Sequence, residues 1–209
     1  MKESLYKKIK KLADTYKDNL DSQIDDRTNE MNSDQNNHYM VYNVLGINDD
    51  RGFDIDLYQN VGRFLYKYAG SFMEEAAILC IQDKFPLAKK IHIDNPAGSN
   101  PKTFEIDCLV NGLAHEIKWR DATTDGDHVH KEERRVNAIK RAGYKPVRVM
   151  FFKPQRAQAQ RIQARLKQLY RDINGEYYEG EDAFSYIERL TGNDLYEILE
   201  RIAQENNEY

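Results

Sequence analysis

Polar and apolar residues alternate along residues 104–119, except where Asn111-Gly112 interrupts them. Asn-Gly between alternating segments is the strongest two-residue signal for a β-hairpin. A two-residue loop fixes the register and places Asp107 opposite Glu116. Side chains alternate between the two faces of each strand. The apolar face is expected to take Phe104, Ile106, Cys108 and Val110 from the first strand, and the polar face Glu105, Asp107, Glu116 and Lys118.

Hydrophobic spacing elsewhere predicts a chain of helices with a few strands. Helices are expected at residues 3–31, 61–85, 128–142, 154–172, 181–191 and 194–205, strands at 88–93 and 145–152, and turns at 49–52 and 177–180. Residues 38–47 fit either a short strand or a short helix. This order predicts an α/β (α+β) fold, with a mixed β-sheet flanked by helices on both faces.

Length and composition bound the class of protein. At 209 residues the chain is long enough for a single domain over residues 1–209, with a core at about 61–153 and helical extensions at 1–60 and 154–209. It is 40% hydrophobic and 32% charged, without a long apolar run, so no membrane span is expected. Cys80 and Cys108 lie in apolar patterns, which favours reduced cysteines in a cytoplasmic protein.

Positive charge is concentrated in one segment. Residues 128–171 hold thirteen Lys and Arg but two acids, in a chain whose net charge is −4. A basic segment on an acidic protein is an electrostatic footprint for phosphate. The alternative is a pair of solvated basic helices.

The two opposed carboxylates of the hairpin are the candidate chemistry. Asp107 and Glu116 should repel each other unless a cation lies between them. Hard cations such as Mg²⁺ take oxygen ligands, and Lys118 beside them could hold an attacking water or stabilise charge on a phosphate. The alternative is an ordinary solvated face, on which Glu105 and Lys118 form a surface ion pair.

A third carboxylate lies on the helix before the hairpin. Ile78, Ile81 and Phe85 form one apolar arc, and Glu74 falls inside it. A carboxylate on an apolar arc needs a partner or a function. Glu74 is therefore a candidate site residue, with Glu75 as the fallback, unless Glu74 lies in water at the edge of the arc.

Asp107-x(8)-Glu116-x-Lys118, followed by a helix and a strand, resembles the PD-(D/E)XK nuclease superfamily. The resemblance implies that Asp107 and Glu116 bind Mg²⁺, with the Ile117 backbone carbonyl as a further ligand. It also implies that Lys118 assists the attack of water on a phosphodiester, with Glu74 joining from the helix. Ile106 stands where many members have proline, a position that varies in the superfamily.

Three longer stretches, residues 62–77, 115–128 and 142–151, are similar to the ApaLI-like type II restriction endonucleases. That similarity implies a homodimer that cuts double-stranded DNA at a six-base palindrome, GTGCAC in the enzyme that names the family. It also implies a restriction–modification system whose methyltransferase makes no direct contact. The helical ends, 3–31 and 181–205, are candidates for the dimer interface. The rival interpretations are a nuclease of DNA repair or mobile elements and an inactive DNA-binding protein.

Two further segments carry residue types that contact DNA. The polar face of the 154–172 helix and the loop after Lys118 are both candidates, against the alternatives of a solvated face and a turn-rich connector. The candidates are Arg156, Gln160, Gln163 and Lys167 on the helix, and Arg120, Thr123, Thr124, His128 and Lys131 along the loop and into the next helix.

Overall fold

The computed structural model describes residues 2–96, 98, 101–121 and 123–207. Within them the chain forms seven helices and five strands. In chain order these are α1 (Glu3–Ser33), α2 (Tyr39–Val44), α3 (Asp49–Lys84), β1 (Lys89–Asp94), β2 (Thr103–Val110), β3 (Leu113–Arg120), α4 (Asp127–Arg141), β4 (Lys145–Phe152), α5 (Ala157–Asp172), β5 (Glu176–Glu179), α6 (Glu181–Thr191) and α7 (Leu195–Asn207).

The strands form one mixed sheet in the order β1-β2-β3-β4-β5. Strands β1, β2 and β3 pair antiparallel, whereas β3 with β4 and β4 with β5 pair parallel. Parallel neighbours need a crossover, and α4 and α5 supply the two crossovers. The predicted mixed sheet flanked by helices, with helical segments at both chain ends, is confirmed.

Helices cover both faces of this sheet. Ala114 on β3 packs in a cluster with Ala138 and Ile139 of α4. The next residue, His115, has its Nε2 atom 2.7 Å from the hydroxyl oxygen of Tyr186 on α6. Because consecutive residues of a strand point to opposite faces, α4 and α6 lie on opposite sides of the sheet.

A bulge in β2 breaks the predicted alternation. Lys89 pairs with Leu109 but Ile91 pairs with Ile106, so β2 has one more residue than β1 over this stretch. Ile106 and Leu109 consequently reach the same cluster under α4. Cys108 lies instead near Tyr186 on α6. The prediction that all four apolar residues of this strand share one face is therefore wrong.

Both predicted turns are wrong, and residues 38–47 contain a helix. Residues 49–52 begin α3, where Asp49 and Asp50 suit the positive end of the helix dipole. Gly52 is needed there because a Cβ would lie 2.8 Å from the Tyr42 ring of α2. Residues 176–179 form β5, which pairs with β4, so the chain beyond residue 154 contributes to the sheet.

The chain divides into two compact units. The sheet unit comprises Met1–Lys10 and Met73–Tyr209, and the helical unit comprises Lys11–Phe72. Inside the helical unit α1 and α3 pack antiparallel, since Tyr16 contacts Tyr68 while Met31 lies beside Asn60. No helix in the described part of the chain combines the length and apolar character that a membrane crossing requires.

A buried ion network joins β4 to its neighbours. Arg148 is 0% exposed, and its guanidinium donates to Asp121 at 2.5 Å and to Glu132 at 3.2 Å. The hydroxyl of Tyr170 donates to the same Glu132 at 2.6 Å. The end of β3, α4, β4 and α5 are thus held together by charges that water does not reach.

Replacing Arg148 tests this network. Arg148→Met should lower the free energy of unfolding by about 3–5 kcal/mol, because two buried carboxylates lose their counter-ion. Chemical denaturation measures the change. The exposed Arg161 of α5 is the control, and Arg161→Met should shift stability by less than about 0.5 kcal/mol. Equal stability of the two variants would contradict a structural role for Arg148.

Candidate functional site

Strands β2 and β3 separate at the predicted carboxylates. Their paired positions run from Val110–Leu113 to Cys108–His115, in the predicted register. Beyond that pair, the contact between the two strands is made by a side chain. The Ile117 N–H of β3 donates a hydrogen bond to Asp107 Oδ2 of β2 at 2.7 Å. Asp107 is therefore held by the backbone of β3 at the point where the two strands part.

Three carboxylates meet at the bulge. Glu74 of α3 and Glu105 and Asp107 of β2 each offer one oxygen, and these oxygens all lie within 4.8 Å of one another. We call this set the three-carboxylate group. Of the two helix glutamates left open by the sequence, Glu74 is the one that the structure brings to Asp107. Glu116 lies outside the group, although its neighbour Lys118 connects the two.

Basic side chains neutralise these acids. The Lys118 ammonium lies 2.7 Å from Glu116 Oε1 and 3.9 Å from Asp107 Oδ2. The Arg135 guanidinium of α4 forms an ion pair with Glu116. On the other side, the Lys90 ammonium of β1 donates to Glu74 at 3.0 Å and to Glu105 at 2.9 Å.

The pKa values of Asp107 and Glu116 are shifted in opposite directions, although both groups are buried. Burial and then the charge of Glu116 raise the pKa of Asp107 to about 7. Burial alone would also raise the pKa of Glu116, but the charges of Lys118 and Arg135 hold it well below its usual range. Glu116 is thus stabilised as an anion, whereas Asp107 resists ionisation.

The donor set suits a hard divalent cation. Glu116 Oε2 is buried without a hydrogen-bond partner, and the three-carboxylate group offers oxygen atoms only. Asp107 resists ionisation because positive charge near it does not fully offset burial and repulsion. A divalent cation would supply that charge, and Mg²⁺ prefers carboxylate and carbonyl oxygens of this kind.

A cleft of about 330 Å³, the α4 cleft, opens beside these acids. Its walls come from the strands and from α4, and most of its α4 residues are basic. The charged and histidine residues lining it are Glu105, Glu116, Lys118, His128, Lys131, Glu132, Arg134 and Arg135. The structure therefore brings two of the predicted DNA contacts, His128 and Lys131, to the cleft that holds Lys118.

The other loop candidates lie along the segment that follows Lys118. Arg120 and Thr123 are half-buried, and Thr124 is exposed. The carbonyl of Thr124 accepts a hydrogen bond from Gln158 of α5 at 2.9 Å. His128 Nε2 lies 3.0 Å from Asp121 Oδ2, which ties the end of this loop to the buried Arg148 network.

The α5 candidates lie outside the α4 cleft and differ in exposure. Arg156 and Gln160 are exposed, and Lys167 pairs with Glu179 at 2.9 Å. Gln163 is only 3% exposed. Its amide accepts the Tyr177 hydroxyl and donates to the Asp121 carbonyl. The expected DNA contact by Gln163 is thus not available, because its side chain links α5 to β5 and to the loop.

Three residues of the site were missed from the sequence: Glu105, Lys90 and Arg135. Glu105 stands two residues before Asp107 on the predicted polar face, but its sequence context suggested only the alternative of a surface ion pair with Lys118. Lys90 lies on the edge strand β1, which pairs with β2 next to Glu105. Arg135 could have been found, because it shares the α4 face of the buried Glu132, Val136 and Ile139. A charged residue on a buried stripe needs a partner.

The comparisons with known proteins agree with the resemblance seen in the sequence. The family model for ApaLI-like restriction endonucleases matches residues 1–204. No curated protein and no solved structure matches the chain. The chain belongs to the ApaLI-like restriction endonuclease family, as its sequence motifs predicted. Membership implies a type II restriction nuclease that binds DNA.

Proposed function

We propose that this protein is a Mg²⁺-dependent type II site-specific deoxyribonuclease that cuts both strands of a short palindrome. GTGCAC is the first site to test, since the enzyme that names the family cuts there. The observation that carries the proposal is the three-carboxylate group with Lys118 and Glu116 beside it. The enzyme would act as a homodimer in a restriction–modification system, with a methyltransferase that shares the site without touching the nuclease.

Asp107 and Glu116 would hold Mg²⁺, with the Ile117 carbonyl as a further ligand. When bound, Mg²⁺ lowers the pKa of a water and neutralises charge on the phosphate. Lys118 would orient the attacking water through its ammonium hydrogens. Attack at phosphorus releases the 3′ oxygen, which leaves a 5′-phosphate and a 3′-hydroxyl.

Two further acids and one arginine around Asp107 and Glu116 would support that chemistry. Glu74 and Glu105 lie against Asp107 and would hold water or a second cation there. Arg135 keeps Glu116 ionised and lines the α4 cleft, so its guanidinium also faces an incoming phosphate. Preorganised cations of this kind stabilise charge that develops in a transition state.

Two basic surfaces would hold the duplex. His128, Lys131 and Arg134 line the α4 cleft. Arg156, Gln160 and Lys167 on α5 form the second surface, and Arg120, Thr123 and Thr124 lie on the strand end and loop that lead to α4. Lys and Arg provide phosphate contacts, and Arg and Gln are suited to purine edges in the major groove.

The metal-site proposal is tested with Asp107→Asn and Lys118→Ala. Each should reduce Mg²⁺-dependent cleavage at least about 100-fold while DNA binding persists, because the chemistry loses a ligand or a water-orienting cation. The measurement is digestion of a sequenced plasmid with and without Mg²⁺, with ends mapped and binding followed by anisotropy. Asp94→Asn, at the exposed end of β1, is the control.

The pattern of cleavage also separates the rival functions. Cuts at a single palindrome support a restriction enzyme, and scattered cuts would indicate a nuclease of repair or mobile elements. Failure of the wild type to cut any DNA in Mg²⁺ would indicate an inactive DNA-binding protein. Near-normal cleavage by either variant would refute the assigned roles of Asp107 and Lys118.

Adjacent Glu74 and Glu75 on α3 provide a test variant and a matched control. Glu74→Gln should weaken Mn²⁺ binding about 10–100-fold, as loss of an outer partner of a metal site does. Glu75→Gln should leave it unchanged, because Glu75 is not part of the three-carboxylate group. Electron paramagnetic resonance of free Mn²⁺ measures both. Equal losses in the two variants would remove Glu74 from the site.

Salt dependence tests the α5 surface. Arg156→Ala and Lys167→Ala should each weaken DNA binding and reduce the slope of log K against log salt concentration by about 1, because one phosphate contact is lost. The control is Lys17→Ala on α1, outside the basic segment, which should keep the wild-type slope. Unchanged slopes for both α5 variants would indicate that this face is solvated and does not contact DNA.

A further inference from the structure

The outer face of α2 is apolar and exposed. Met40, Val41 and Val44, with Leu45 directly after the helix, are 70%, 53%, 81% and 71% exposed. At 100° per residue these four side chains cover a continuous arc of about 140°. All four side chains are apolar and uncharged, so they form no strong hydrogen bonds with water.

The orientation of α2 is fixed by its inner face. Tyr39 is buried and stacks on Tyr42, with ring centroids 5.3 Å apart. The Tyr42 hydroxyl donates to Asp56 of α3 at 2.9 Å, and His38 Nε2 lies 3.0 Å from the same carboxylate. Gly52 admits the Tyr42 ring against α3. The apolar arc is therefore held outward by specific contacts.

Exposed apolar residues are concentrated in this unit of the protein. Eight of the eleven large hydrophobic side chains that lie exposed among the described residues belong to the helical unit. The α2 arc offers roughly 200–300 Å² of apolar area, judged from the transfer energies of such side chains. Apolar residues scattered singly over a surface are ordinary, whereas four adjacent exposed ones form a contiguous patch. It suits the apolar centre of an interface of about 800 Å² per partner with a polar rim.

We propose that this arc, Met40, Val41, Val44 and Leu45, is the contact between two copies of this chain. The inference rests on the proposed function, since a cut through both strands of a palindrome calls for two sites related by a two-fold axis. A two-fold axis brings a surface against itself, so a charged surface would repel its own copy. The uncharged arc has no such cost, and it lacks the cations that a DNA backbone requires.

The helical ends, which the sequence suggested as the interface, contact each other within the chain. Tyr6 and Lys10 of α1 both bond to Glu205 of α7. Arg201 of α7 lies over the Tyr6 ring, 3.8 Å from its centroid. These contacts use polar groups of both ends inside the sheet unit, whereas the α2 arc remains exposed.

The test is the oligomeric state of Val44→Glu. The wild type should sediment as a dimer, and Val44→Glu should raise the dimer dissociation constant at least about 100-fold, because two carboxylates would face each other in an apolar contact. Leu87→Glu is the control, since Leu87 is 91% exposed in the sheet unit. A monomeric wild type, or a Val44→Glu dimer as tight as the wild type, would overturn the proposal.

Cross-linking gives a second measurement that does not depend on destabilising the contact. Val44→Cys should form a disulfide-linked dimer under oxidation, and Leu87→Cys should not. The native Cys80 and Cys108 are buried and should not react. No cross-link through residue 44 would count against the interface.

The experiments can reject the proposed nuclease function and the proposed interface independently of each other. A dimer that dissociates on Val44→Glu but never cuts DNA keeps the interface and rejects the function. A wild type that cuts both strands while Val44→Glu stays dimeric keeps the function and rejects the interface.

Discussion

Two carboxylates buried in one pair of strands impose the main constraint on this structure. Asp107 and Glu116 are both nearly inaccessible to water, and buried negative charge persists only where cations or hydrogen bonds compensate it. The compensation comes from the Ile117 amide and Lys118 on β3 and from Arg135 on α4. Placing α4 across the strands is therefore an electrostatic requirement as well as a matter of packing.

The same charges extend away from the site. Arg135 lies between Glu116 and Glu132, and Glu132 pairs with Arg148. Arg148 in turn binds Asp121, at the start of the loop that follows β3. The carboxylates proposed to bind metal are thus continuous with the contacts that hold a loop proposed to meet DNA. A change at either end alters charges that the other end depends on.

Local pattern predicted the hairpin well, because Asn111-Gly112 determines both the turn and the register through Cys108–His115. The bulge was not predictable, since it depends on how β1 pairs with β2 across a loop. The meeting of Glu74 with Glu105 and Asp107 was not predictable either, because it depends on how α3 packs beside β2. Burial of Gln163 was missed because its partners, the Asp121 carbonyl and Tyr177, lie 42 and 14 residues away. The short strand β5 was mistaken for a turn because its pairing with β4 is a long-range contact that the local sequence does not show.

We propose that the Asp107 carboxylate and its neighbours hold the divalent cation with which the protein cuts DNA. The most direct measurement is anomalous diffraction from crystals grown with Mn²⁺ and a duplex containing the cognate palindrome. We expect an anomalous peak bounded by Asp107 and Glu116, next to a backbone phosphate. A peak bound elsewhere on the protein, or none at these carboxylates with DNA in place, would contradict it.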